Sequence, residues 1–149
     1  MINLEAPIIP SKSIGSINIG EKFSSYLDYL HNESIQFTRE DFNSGLSIII
    51  VERGTIEVTT DSEDVILNIS CGKKYNGSCK EKYFVGMSIS QILSESERQL
   101  ILHGFLILDR DFGFGFEIPE EFENCDYAEN LPEDFVPERI YVFPENQWG

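Results

Sequence analysis

Short apolar runs of strand length, each closed by a turn signal, constrain this chain more than any other feature. Leu46–Val51 is a continuous apolar run of the kind a buried central strand carries. Glu52-Arg53-Gly54 follows as a tight turn with the glycine such turns favour. Thr55–Thr60 then alternates, placing Ile56 and Val58 on one face and Glu57 and Thr59 on the other. Asp61–Asp64 turns the chain again, and Val65–Ile69 supplies the next strand. Ile35–Thr38 alternates ahead of this group. Strand-length runs joined by tight turns form an antiparallel meander.

Two helical patterns interrupt the strands. Phe23, Tyr26, Leu27 and Leu30 recur at i, i+3, i+4 and i+7, which is one apolar stripe ending near His31-Asn32. A second helix starts after Gly86, where Ser88 and Gln91 fit a capping box and Ile89, Ile92 and Leu93 form the stripe. Gln99–Leu108 and Phe112–Ile118 read as two strands joined by the Asp109-Arg110-Asp111 turn. Ile140–Phe143 is the last strand and Pro144 ends it. In Phe112–Ile118, strand alternation predicts Phe112, Phe114 and Phe116 on a core face, with Gly113 and Gly115 as a bare strip behind them. Ile8–Gly20 is extended, with a short strand or edge segment. Ile19-Gly20-Glu21-Lys22-Phe23 and Val85-Gly86-Met87-Ser88-Ile89 open the two helices alike, a faint internal repeat. The expected fold is α+β: a mainly antiparallel β-sheet with two helices packed against it, in an order compatible with two α–β half-repeats. Residues 1–149 are expected to form a single domain.

Charge is distributed unevenly over this frame. The chain carries 26 acidic and 11 basic residues, for a net charge of −15. Asp109 to the end contains twelve of the acids, opposed only by Arg110 and Arg139, and so contributes −10. Like charges repel, so such crowding adds nothing to a fold and points to a basic partner or to a merely solubilising surface. It argues against direct contact with nucleic acid or an anionic membrane. The only basic cluster is Lys73, Lys74, Lys80 and Lys82, in the polar stretch Cys71–Lys82; it is complementary to the acidic loop of a second copy, which would give a homodimer. The first ten residues lack a secretory pattern, and no apolar run reaches membrane-spanning length, so a cytoplasmic location is expected. Cys71, Cys79 and Cys125 form no CxxC; free thiols are favoured over a Cys71–Cys79 pair.

Catalytic and metal-binding patterns are missing. His31 sits at a helix end, and His103 lies inside an apolar strand run. Neither belongs to an HxxxH or HExxH pattern, and no GxSxG is present. The acid pairs Asp109/Asp111 and Glu120/Glu121 have no EF-hand spacing and read as solvated turns. No catalytic residue, cofactor or metal is therefore expected.

The best functional candidate is Pro119–Pro137, where acids alternate with Phe122, Tyr127 and Phe135 and prolines stiffen the chain. Carboxylates there would steer a basic surface and an exposed ring would supply contact area. The competing reading is that Phe122 and Phe135 pin the loop to the core while the acids face water. The expected contact set is Glu120, Glu121, Glu123, Asp126, Tyr127, Glu129, Glu133 and Asp134.

The run Ile9-Pro10-Ser11-Lys12-Ser13-Ile14-Gly15-Ser16-Ile17-Asn18-Ile19-Gly20, leading into a helix, resembles the opening of bacterial immunity proteins of polymorphic-toxin systems, including contact-dependent growth inhibition. The resemblance implies an immunity protein that binds a cognate toxin domain, in many such families a basic nuclease, and occludes it sterically and electrostatically. Two other readings stay open. One is a small enzyme or ligand-binding domain with a pocket between sheet and helices and His103 or a carboxylate at work. The other is a structural subunit whose acidic patch meets a basic partner.

Overall fold

The computed structural model describes residues 2–122 and 124–148. Among the described residues, ten strands and two α-helices form. β1 (Ser13–Ile14) and β2 (Ile17–Asn18) make a small hairpin. The large sheet holds β3 (Phe37–Asp41), β4 (Ser47–Val51), β5 (Ile56–Thr60), β6 (Ile66–Cys71), β7 (Gln99–Leu102), β8 (Phe105–Leu108), β9 (Asp111–Glu117) and β10 (Ile140–Val142). Its strand order is β3-β4-β5-β6-β10-β9-β8-β7, with every neighbour antiparallel. The fold is thus α+β, as the alternation of periods requires.

The sheet divides into two four-stranded meanders joined where Tyr141 of β10 lies opposite Ser70 of β6. A helical segment precedes each meander. A 3-10 turn (Phe23–Tyr26) runs into α1 (Leu27–Asn32) before β3, and α2 (Ile89–Glu95) comes before β7. The β4–β5 and β8–β9 turns also correspond. Glu52-Arg53 and Asp109-Arg110 each place an acid and an arginine at positive φ, the handedness that suits tight hairpins.

Strand alternation builds the core. Ile49 and Val51 of β4 and Ile56 and Val58 of β5 are fully buried, while their neighbours are half-buried. Ile69, Ile140, Val142, Phe114 and Phe116 continue this face, and Leu30 and Ile92 of the helices close it. Each such side chain contributes about 1.5–3 kcal/mol by leaving water. The Ser88 hydroxyl accepts from the Gln91 N–H and the Gln91 side chain accepts from the Ser88 N–H, so the expected capping box starts α2. On the opposite sheet face Phe105 packs edge-on against Tyr141 and Phe143, 5.1 and 4.8 Å away, and Trp148 lies 5.2 Å from Phe143.

Several local expectations are corrected. Gln99–Leu108 is two strands, because His103 and Gly104 both take positive φ and form the two-residue turn between β7 and β8. His103 is therefore an exposed turn residue, not a strand residue. Phe112 does not join the core. Leu106 and Leu108 both face inward and oppose Phe116 and Asp111, which an unbroken strand would put on opposite faces. The irregularity throws Phe112 out of phase and leaves it 39% exposed. The two glycines likewise serve different neighbours. A Cβ at Gly113 would lie 2.8 Å from the Ser11 backbone nitrogen, whereas one at Gly115 would meet Ile107 of the adjacent strand. Cys71–Lys82 is polar only in part: Cys71 ends β6, and Tyr75 and Cys79 are buried, with the Tyr75 hydroxyl accepting the Gly15 N–H at 2.9 Å.

Candidate functional site

The stretch from Pro119 to Pro137 leaves β9 and returns to the neighbouring β10. Two 3-10 turns, Glu120–Phe122 and Ala128–Asn130, shape it. Ala128 and Leu131 are buried, and Phe122 and Phe135 pack against the core and edge-on against each other at 5.0 Å. Two backbone bonds tie it to α2: the Ile89 and Ser90 N–H groups donate to the carbonyls of Phe135 and Glu133 at 2.8 and 2.9 Å. The two phenylalanines therefore do pin the loop, as one of the alternatives expected.

Pinning the backbone leaves the charged side chains outside. Glu120, Glu121, Asp126, Glu129, Glu133 and Asp134 are all exposed, and the Tyr127 ring is 65% exposed. Glu123 lies outside the described residues. Among the described residues, ion pairs engage Asp41, Asp64, Asp111 and Glu57, and no carboxylate of this loop. A depression of about 450 Å³ opens beside the loop, walled by Ile101, Ile118, Phe122, Glu120 and Asp126 together with His103. The His103 imidazole stacks on Trp148 with centroids 5.6 Å apart. Cys125 lines the same depression, but its thiol faces the Asn130 carbonyl at 3.8 Å, and among the described residues no hydrogen bond joins it to His103.

The acids of the β8–β9 hairpin are committed to structure. Asp109 accepts the N–H groups of Glu97 and Arg98 at 2.8 and 2.9 Å, and the Arg98 bond leads in holding its carboxyl below the ordinary range. Asp111 pairs with Lys80 at 2.6 Å and accepts the Gly113 N–H. Among the described residues, no group of three or more His, Cys, Asp or Glu side chains is placed to hold a metal ion. All three cysteines are free; burial pushes the Cys71 and Cys79 thiols up to about 12. No helix among the described residues is long and apolar enough to cross a membrane.

The lysine cluster divides. Lys80 lies over the Phe114 ring and Lys82 over Tyr83, with the Lys82 ammonium donating to the Glu95 carbonyl. Lys73 and Lys74 instead line a cleft of about 650 Å³ with Arg53, Arg139, Glu57 and Glu138. Ile50 and Glu57 on its wall belong to the sheet face turned away from the core, so the cleft does not lie between sheet and helices as a pocket there would. Arg139 is anchored at its inner end. Its Nε donates to Ser70 Oγ at 2.9 Å, its Nη1 donates to the Gly54 carbonyl at 2.8 Å, and Nη1 lies 3.1 Å from Glu57. A Cβ at Gly72 would stand 2.8 Å from Nη1, so a side chain there would evict the guanidinium. Nearby, burial pushes the Glu117 carboxyl up against the opposing pull of Arg139. Arg53 and Arg139 belong to this arrangement, yet they lie far apart in the chain and carry no motif.

No protein-family model, no curated protein and no solved structure matches the chain.

Proposed function

We propose that this chain is an immunity protein that neutralises a basic toxin domain, of the nuclease kind, by laying its acidic loop over the toxin's substrate-binding face. The observation that carries the reading is the loop's construction. Its backbone is fixed by Phe122, Leu131 and Phe135, while six described carboxylates and the Tyr127 ring stand exposed, the carboxylates in no ion pair among the described residues. A backbone fixed beforehand need not be ordered on binding, and unpaired carboxylates break no ion pair of their own when they meet a cation. They steer a basic surface, and Tyr127 supplies an aromatic anchor at their centre. Carboxylates in such a row present to a nuclease what a phosphate backbone presents.

The test is capture from source cells with the tagged chain, at low and at high salt, followed by mass spectrometry. One basic protein recovered near stoichiometry at low salt is the expected result. Glu120→Lys/Glu121→Lys/Asp126→Lys should then slow its association and steepen the loss of binding with salt. A partner held equally well by that triple variant would remove the loop from the mechanism.

A further inference from the structure

The same chain that is acidic almost everywhere gathers cations at one place. Its acids outnumber its bases 26 to 11, yet the cleft beside the β4–β5 turn is lined by four cations and two carboxylates, a local excess of +2. One of the carboxylates, Glu57, is already paired with Arg139. That pairing leaves the Nη2 nitrogen of Arg139 buried without a hydrogen-bond partner among the described residues, a donor still to be satisfied. Arg53, Lys73 and Lys74 are exposed at the rim and form no ion pair among the described residues. Ile50 and Val136 give the cleft an apolar wall, with Val136 42% exposed.

We propose that this cleft binds a small phosphorylated molecule, its phosphate between Arg53, Lys73 and Lys74 and its less polar body along Ile50 and Val136. A volume of about 650 Å³ lies within the range of small-molecule sites. Three cations exceed what one carboxylate requires, whereas a phosphate monoester carries nearly two charges and three acceptor oxygens. Two lysines provide point charges and Arg53 a planar fork, a mixture suited to phosphate oxygens. The overall negative field of the chain repels anions, so an anion that does bind is held by this local arrangement and not by bulk attraction. The site uses no residue of the acidic contact set, so either can fail without the other.

Adenosine 5′-monophosphate, inorganic phosphate and adenosine serve as probes, titrated into the full ¹⁵N-labelled chain and followed by amide shifts. The expected result is a saturable response to the monophosphate, confined to Arg53–Thr55, Gly72–Lys74 and Val136–Arg139, with adenosine silent. A weaker response to inorganic phosphate assigns part of the affinity to the organic body; an equal one assigns the site to free phosphate. Lys73→Gln/Lys74→Gln should weaken binding about tenfold or more, as loss of two nearby charges requires. Glu138→Gln should tighten it by removing the carboxylate that Arg139 does not pair. Shifts scattered over the surface, or a Glu138→Gln variant that binds no more tightly, would overturn the proposal.

Discussion

Replacing Arg139 by methionine removes the guanidinium while keeping much of the aliphatic stem. Three contacts disappear together: the bond to Ser70 Oγ at 2.9 Å, the bond to the Gly54 carbonyl at 2.8 Å and the ion pair with Glu57 at 3.1 Å. Glu57 and the buried oxygen of Glu117 then lose their common counter-charge. Breaking a fully buried pair costs about 3–5 kcal/mol, because one charge stays behind without a partner. Here the side chains are 16% and 31% exposed, so water replaces part of what is lost. The expected loss is about 2–3 kcal/mol, which for a chain of this size lowers Tm by roughly 5–10 °C. Urea unfolding followed by Trp148 fluorescence and circular dichroism measures it, with an unchanged slope excluding a change in the unfolded state. Adding Glu57→Gln should return part of the loss, since the stranded carboxylate is then gone. A fall below about 0.5 kcal/mol, or no recovery in the double variant, would refute the view that Arg139 is held here by charge and not by its stem.

Other expectations test separate parts of the fold. Burial raises the Glu117 carboxyl, with Arg139 opposing, so the native state keeps this proton to higher pH than the unfolded chain does. Its ionisation therefore costs stability as pH rises from the unfolded value through the folded one. Glu117→Gln should be more stable than the parent near pH 7 and equal to it near pH 3, and a variant less stable near pH 7 would contradict this. Gly113→Ala places a Cβ 2.8 Å from the Ser11 nitrogen and 2.6 Å from its hydroxyl, so it should destabilise by about 1–3 kcal/mol in thermal melts. With a thiol reagent near pH 8, Cys125 alone should react in the native protein and all three cysteines in denaturant; early labelling of Cys71 or Cys79 would contradict their burial.

The local code of this chain was legible because it depends on near neighbours. The continuous apolar run ending at Val51, the alternation in Thr55–Thr60 and the Ser88/Gln91 cap each specify their element within a few residues, whereas the stripe of Phe23 to Leu30 is shared between a 3-10 turn, Phe23–Tyr26, and α1. The acidic loop was legible for the same reason, since charge and ring positions alternate along it and the exposure of its six described carboxylates follows. His103-Gly104 was the missed turn: its flanking apolar runs are continuous enough to read as one strand, and only positive φ at both positions breaks them. The matching Glu52-Arg53 and Asp109-Arg110 turns would have sharpened the internal repeat.

Tertiary structure decided the rest. Antiparallel pairing of β6 with β10 is a contact between segments separated by α2 and the three strands β7–β9, and no local preference specifies it. The bulge that turns Phe112 outward arises from register against β8, not from the sequence of β9 itself. The cationic cleft has the same origin: Arg53, Lys73 and Arg139 stand on three separate segments, and their charges add only where the folded chain brings them together. Periodicity acts over a turn or a strand and can be read along the chain, whereas strand order, register and convergent charge depend on which distant surfaces become neighbours.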